Sequence, residues 1–141
     1  MGKRRAAREL ALAWLFQVDV GKASPDEALE SSPESRRYEQ DMLDFARKLF
    51  LTATDNLGAI DEKLSQFARN WPLDRMASVD RNVLRLAACE ILFMPDIPHG
   101  VSVDEAVELA KKFSTEESGK FVNGILGNLV RSLEAGPAEN R

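Results

Sequence analysis

Apolar residues recur along nearly the whole chain at the three- and four-residue spacing of amphipathic α-helices. No strand of alternating polarity and no tandem repeat interrupts this pattern. The first helical segment ends before Gly21, a residue type common just beyond helix ends, and its apolar face consists of Ala7, Leu10, Ala11, Trp14, Leu15 and Val18. The pattern predicts an all-α protein of about seven helices.

Helix start signals follow at two places in the first third of the chain. Ser24-Pro25-Asp26-Glu27 has the form of a capping box, in which the serine and glutamate side chains bond to backbone N–H groups. Ser32-Pro33-Glu34 repeats the start signal. We therefore expect a short helix after Ser24, then a longer one with an apolar stripe from Tyr38 to Ala53.

Helix-breaking residues divide the middle of the chain. Asn56-Leu57-Gly58 predicts a break or bend, after which a second stripe runs from Ile60 to Trp71 and ends at Pro72. Ser78 or Asp80 can start the next helix. Because the residues that follow form the most apolar segment of the chain, we expect that helix to lie at the centre of the fold.

Two further helices are predicted in the last third. Met94–Gly100 contains two prolines and a glycine, which favours a loop, and Ser102–Glu105 has the form of a second capping box. Thr115 is expected to open the last helix, which ends at Gly136-Pro137. Interior glycines cost a helix about 1 kcal/mol each. We therefore expect those of this helix to permit close approach of a neighbouring helix, and they are Gly119, Gly124 and Gly127.

Length and composition restrict the possible functions. The 141 residues, 44% of them hydrophobic, predict one compact domain over residues 1–136 with a frayed tail at 137–141. No apolar run approaches the roughly 20 residues of a membrane span, and we expect a cytoplasmic protein. One cysteine and one histidine predict neither an internal disulfide nor a transition-metal site. Without a glycine-rich phosphate loop or a serine–histidine–acid set, we predict no enzyme activity and no cofactor.

Positive charge is concentrated at the start of a chain whose net charge is −4. Lys3, Arg4, Arg5 and Arg8 stand within six residues that contain no acid. The positive end of the helix dipole disfavours cations there, so helix stability does not explain them, whereas a phosphate backbone would. About four phosphate contacts bind RNA only weakly at cellular salt. Stacking aromatics or a second protein would then be needed. A solvated charged face is the alternative interpretation.

Three stretches of the chain together resemble the NusB family. They are "RRAARELALAWLFQVD" at 4–19, "VDRNVLRLAACEILF" at 79–93 and "IPHGVSVDEAVELAKKFSTEESGKFVNGIL" at 97–126. The resemblance implies two packed helical subdomains that form a compact bundle. It further implies a non-enzymatic transcription antitermination factor. Such a factor binds boxA-type single-stranded RNA of nascent rRNA transcripts together with the ribosomal protein NusE, and other Nus factors and RNA polymerase indirectly.

The resemblance also assigns candidate residues. RNA binding falls on Lys3, Arg4, Arg5, Arg8, Phe16, Glu117, Lys120 and Phe121. Phe16 stands where the family often has tyrosine. The surface facing NusE falls on Asp80 and Arg81. Arg81 and Arg85 share a helix face, which suggests either a core ion pair or a partner-facing strip. Two alternatives stay open: a module related to the domain appended to some rRNA cytosine methyltransferases, and a homodimeric structural adapter.

Overall fold

The computed structural model describes residues 2–31 and 39–135, and within these ranges every regular element is helical. The predicted all-α class is therefore confirmed. Seven α-helices are present in this part of the chain, with a single 3₁₀ turn, Leu73–Arg75, between the fourth and the fifth. The helices are α1 Gly2–Asp19, α2 Pro25–Ser31, α3 Gln40–Asp55, α4 Leu57–Phe67, α5 Ser78–Phe93, α6 His99–Phe113 and α7 Glu116–Glu134.

Helix α5 lies at the centre of the bundle, as its composition predicts. Helices α1, α2 and α3 pack on one another, helices α4, α6 and α7 surround α5, and α5 also contacts α1 and α3. Every residue from 82 to 91 is buried. The arrangement is two packed helical subdomains that share α5 as their common wall.

Several local start signals act as predicted. Ser24 N donates to Glu27 Oε1 at 2.8 Å, and Glu27 N donates to Ser24 Oγ at 3.1 Å, which completes a capping box at α2. Thr115 Oγ1 accepts from Ser118 N at 2.9 Å and caps α7. Asn56 separates α3 from α4 at the predicted break.

Two predicted boundaries are wrong. Helix α4 ends at Phe67 rather than Trp71, and Trp71 lies in a turn with 53% of its surface exposed. Helix α6 begins at His99, because Pro98 takes the cap position, where a proline leaves the helix intact. Ser102 therefore caps nothing, since it lies inside α6 with 2% of its surface exposed.

Of the three glycines in α7, only Gly119 meets the expectation of close helix packing. A Cβ atom added there would lie 2.6 Å from Lys111 Cγ of helix α6. At Gly124 a Cβ would meet nothing within 4 Å, and at Gly127 it would meet only Arg131 of the same helix. Close approach therefore explains one glycine and is the wrong explanation for the other two.

Some sequence predictions fall outside the described residues. They are the helix start at Ser32-Pro33-Glu34, the position of Tyr38, and the helix end and tail from Gly136 onward. Where the chain is described, none of its helices combines the length and the apolar character needed to cross a membrane. Cys89 is completely buried, and burial raises the pKa of its thiol to about 12.

Candidate nucleic-acid interface

The four cations at the start of α1 occupy different environments. Lys3 lies 2.7 Å from Glu39 and 3.7 Å from Asp41, with more than half of its side chain exposed. Arg5 donates from Nε and Nη2 to the two carboxylate oxygens of Glu105 on α6, at 3.0 and 2.9 Å. Lys3 and Arg5 are therefore exposed but already paired with acids of the protein itself.

Arg4 differs from its neighbours because it makes no ion pair with any residue in the described ranges. Its guanidinium carbon lies 4.3 Å from the centroid of the Phe45 ring, and the residue is exposed. A cation over an aromatic face keeps its positive charge and its outward N–H groups. Arg4 is thus the cation of this cluster whose charge no carboxylate within residues 2–31 and 39–135 neutralises.

Arg8 does not share the exposed surface that its spacing predicts. Only 4% of the residue is exposed, and Nε and Nη2 donate to the carboxylate of Glu90 on α5 at 2.7 and 3.0 Å. Ser102 Oγ donates to the same carboxylate at 2.6 Å. A contact between RNA and Arg8 stays a prediction, but in this structure the guanidinium joins α1 to α5.

The opposite end of α1 carries a second charged network. Asp19 Oδ2 accepts from Arg81 Nη2 at 2.7 Å and from Asn82 at 2.9 Å, and Arg85 lies 3.5 Å away. Arg85 also donates to Asp61 on α4 at two distances of 2.9 Å. The core ion pair, rather than a partner-facing strip, is therefore the arrangement that the structure shows for Arg81 and Arg85.

This network changes the pKa of Asp19. Burial alone would raise it, but hydrogen bonds from Arg81 and Asn82 and the charges of Arg81 and Arg85 together lower it below its ordinary value. Arg81 also donates to the backbone oxygens of Leu73 and Met76, at 3.1 and 3.2 Å. Its role toward NusE stays a prediction, and in this structure its guanidinium holds α1, α5 and the 3₁₀ turn together.

Asp80 lies at the start of α5, against the start of α7. Ser118 Oγ donates to Asp80 Oδ2 at 3.0 Å, whereas Oδ1 is buried without a hydrogen-bond partner in the described part of the chain. Near Asp80 is a cavity of about 290 Å³ that Trp71, Phe121 and Glu117 also line. The predicted partner residue is thus 9% exposed and faces an aromatic and acidic pocket.

Lys120 and Phe121 follow on the first turns of α7. Lys120 is exposed and lies 3.6 Å from Glu117 across one helical turn. Phe121 is half-buried and, with Trp71, also lines a larger cavity of about 520 Å³. The aromatic predicted on α1, Phe16, is 39% exposed. Both predicted aromatics therefore present part of a ring to solvent.

The predicted RNA-binding residues fall into two groups near opposite ends of α1: the cations at its start, and Lys120 and Phe121 at the start of α7. Arg8 pairs with Glu90 near the end of α5, and Asp19 pairs with Arg81 at its start, so α1 and α5 are antiparallel. Eleven residues of helix separate the two pairs, about 16 Å along the axis. The start of α7 adjoins the start of α5 through Ser118 and Asp80. A ligand that contacts both the start of α1 and the start of α7 would therefore span a distance of about the length between these two ion pairs.

Trp71 and its neighbours Arg69 and Arg75 are not among the candidate residues that the sequence pattern predicts. Its helical period assigned Trp71 to the buried stripe, whereas the residue before a proline disfavours helical geometry. The dipeptide Trp71-Pro72 between two arginines was the signal that could have identified an exposed aromatic.

Comparison with known proteins agrees with this architecture. The chain matches the NusB family over residues 5–131. It is 50% identical over 135 residues to the transcription antitermination protein NusB of Pelotomaculum thermopropionicum, covering 93% of this chain and 91% of that protein.

Two solved structures are similar over almost the whole chain. NusB of T. maritima is 41% identical, with a TM-score of 0.83 and coverage of 91% and 90% of the two chains. A chain of the crystal structure of the antitermination factors NusB and NusE in complex with double-stranded RNA is 31% identical, with a TM-score of 0.85 and coverage of 94% and 98%. This chain therefore belongs to the NusB family of transcription antitermination proteins.

Proposed function

We propose that this protein binds boxA-type single-stranded RNA of nascent rRNA transcripts together with NusE, in the bacterial cytoplasm. The observation that carries the proposal is its likeness, over 94% of the chain, to one chain of a structure that contains NusB, NusE and double-stranded RNA. The exposed cations of α1 and the partly exposed rings of Phe16 and Phe121 support it.

The RNA strand would follow α1 from its first turn to its last. Lys3, Arg4 and Arg5 are exposed and would contact phosphates, and Arg4 would do so without breaking an ion pair to any described residue. Further along, Phe16 and Phe121 would stack on bases, with Lys120 and Glu117 beside Phe121. Arg8 is a positioning residue in this proposal, because its ion pair with Glu90 fixes α1 on the bundle.

NusE would contact the surface around the start of α5. Asp80 lines a cavity there that is open at the surface and could receive a side chain of a partner protein. Arg81 would act by holding the neighbouring 3₁₀ turn in place rather than by direct contact. Other Nus factors and RNA polymerase would be reached indirectly, through the complex.

The test is the affinity of the full chain for a labelled single-stranded boxA-like RNA, with and without NusE. We expect NusE to increase the affinity, since the cations of this chain alone give weak binding at cellular salt. Replacing Lys3 and Arg4 by glutamine should reduce the affinity and flatten the salt slope by about 0.7 for each phosphate that the protein no longer binds. Replacing Arg47 on α3 and Lys63 on α4 by glutamine makes the same change in net charge and is the matched control.

Three results would contradict the proposal. One is an affinity that does not change when Lys3 and Arg4 are replaced. Another is equal affinity for the single strand and for a duplex of the same sequence. The third is a stable homodimer in sedimentation experiments that excludes RNA at working concentration, which would favour the structural adapter.

A further inference from the structure

Trp71 is the most exposed large hydrophobic residue among those that the structure describes. The other tryptophan, Trp14, is completely buried in the core. Indole rings supply large apolar surfaces, and tryptophan is usually highly buried. An indole that is 53% exposed beside two cavities therefore has a surface available for a ligand.

The segment that carries Trp71, residues 68–76, is held rigidly. Trp71 N donates to Ala68 O at 3.1 Å, and Arg75 N donates to Pro72 O at 2.9 Å. Met76 is buried and anchors the end of the segment, and the Arg81 guanidinium bonds to two of its carbonyl oxygens. Trp71 is therefore presented on a fixed support, and a ligand that stacks on it would not have to order a flexible loop.

The larger cavity next to Trp71 combines apolar walls with side-chain amides. Phe67, Phe121 and Ile125 provide the apolar part, whereas Gln66, Asn70 and Asn128 provide amide groups. An amide both donates and accepts, so it can bond to the edge of a nucleobase. The cavity has a volume of about 520 Å³, which lies within the range of small-molecule pockets and accommodates an unstacked base.

The arginines in and near this groove form no ion pairs with described acids, unlike Lys3 and Arg5 at the start of α1. Arg69 is exposed, and its one hydrogen bond in the described part of the chain goes to the backbone oxygen of Gln66, at 3.3 Å. Arg75, in the 3₁₀ turn that follows Trp71 and outside the lining of the groove, is also exposed and forms no ion pair with any described residue. Arg131 donates to Asn128 Oδ1 at 2.6 Å and adds a third guanidinium near the groove.

This combination favours RNA over a protein segment as the occupant. An apolar peptide could fill the groove, but it would offer no acceptor to the guanidinium group of Arg69, which lines it. A single-stranded nucleotide supplies both a flat ring for the indole and a phosphate for an arginine. The groove is also continuous with Phe121, which belongs to the RNA surface proposed above.

We propose that the groove between Trp71 and Phe121 binds one unstacked RNA base, which stacks on Trp71 while Arg69 contacts the adjacent phosphate. The amide side chains of the groove bond to the edge of the base and favour some bases over others. This site rests on the proposed RNA-binding function and adds a base-recognition pocket to it.

The fluorescence of Trp71 gives a direct test. Because Trp14 is buried, acrylamide quenches mainly Trp71 in the full chain. Binding of the single-stranded boxA-like RNA, with NusE present, should quench the tryptophan emission and protect it from acrylamide. Trp71→Phe should abolish this signal and keep part of the affinity, since phenylalanine still stacks.

Affinity measurements complete the test. Trp71→Ala should weaken RNA binding by roughly 5- to 150-fold, the range for loss of one base–aromatic stack. Arg69→Gln should weaken it less and reduce the salt slope by about 0.7. Phe93→Ala is the matched control, because Phe93 is 38% exposed and lies at the far end of α5. An RNA that lacks the stacked base should bind wild type and Trp71→Ala equally.

The outcomes separate this site from the proposed function. If wild type does not bind the RNA with or without NusE, the proposed function itself fails. If wild type binds, but Trp71→Ala binds equally and no quenching occurs, the base pocket is wrong and the function stands. If Trp71→Ala loses NusE and keeps its RNA affinity, the groove is a protein-binding site and the proposal is overturned.

Discussion

Arg8 of α1 and Glu90 of α5 form a bidentate ion pair in the interior of the protein, 82 residues apart in the chain. The two N–O distances are 2.7 and 3.0 Å, and the side chains are 5% and 2% exposed. Ser102 of α6 bonds to the same carboxylate, so three helices meet at one charged centre. An arginine that local spacing assigns to a surface thus joins the first helix to the centre of the bundle.

Removing either member of this pair should strongly destabilise the fold. Arg8→Ala or Glu90→Ala leaves an uncompensated buried charge, and we expect the free energy of unfolding to fall by about 3–5 kcal/mol. Urea denaturation followed by circular dichroism measures the change. Arg4→Ala is the matched control, because Arg4 is exposed, and its loss should cost well under that amount. A cost below about 1 kcal/mol for Arg8→Ala would show that the pair does not hold the helices together.

Glu105 is expected to restrain RNA binding by occupying Arg5. The hydrogen bonds from Arg5 lower the pKa of the Glu105 carboxyl below its ordinary value, so the pair is ionised at neutral pH. Glu105→Gln should release the guanidinium to a phosphate, raise the RNA affinity and steepen the salt slope by about 0.7. Filter binding at several salt concentrations measures both quantities.

Glu62→Gln is the control for this substitution, since it removes one exposed carboxylate on α4 and gives the same change in net charge. If both variants raise the affinity equally, the effect is that of net charge and not of the Arg5–Glu105 pair.

The helical pattern of this chain could be predicted because it is encoded locally. Periodic apolar residues, capping residues and the Asn56 break lie within a few positions of the structure they determine. Membership of the NusB family agrees with the all-helical class and with the prediction of a non-enzymatic protein. Local signals were misleading where a long-range contact decided the outcome. Ser102 has the sequence of a cap, but a carboxylate twelve residues earlier draws it into the interior.

The candidate site was harder to predict for the same physical reason. Whether a cation is available to RNA depends on its partner, and the partners of Arg5 and Arg8 lie 100 and 82 residues away. Sequence spacing correctly placed these residues on one helix, but it could not reveal that acids of α5 and α6 face them. Trp71 was missed because the apolar period continued past the true end of α4 at Phe67.

Acid should weaken the protein through Asp19. The pKa of Asp19 is lower in the folded than in the unfolded protein, where it has the ordinary value of 3.8. Ionised Asp19 therefore stabilises the fold at pH values above 3.8. This contribution is lost as the pH falls from 3.8 through the lower pKa of the folded protein. We expect the urea midpoint of wild type to drop between pH 5 and pH 2. The Asp19→Asn variant should have a lower urea midpoint than wild type at neutral pH, and its midpoint should decrease less as the pH is lowered. Asp26→Asn, at an exposed carboxylate of α2, should parallel wild type at every pH.

The glycines of α7 should respond in opposite directions to substitution by alanine. Gly124 is exposed, and an added Cβ would meet nothing within 4 Å, so Gly124→Ala should raise the free energy of unfolding by up to about 1 kcal/mol. At Gly119 the Cβ would lie 2.6 Å from Lys111 Cγ and 3.0 Å from Cδ, which forces α6 or its side chain to move. Gly119→Ala should therefore lower the free energy of unfolding, although it improves helix propensity as much as Gly124→Ala does. Thermal unfolding of the two variants measures the difference, and equal melting temperatures would mean that α6 and α7 are not in close contact at Gly119.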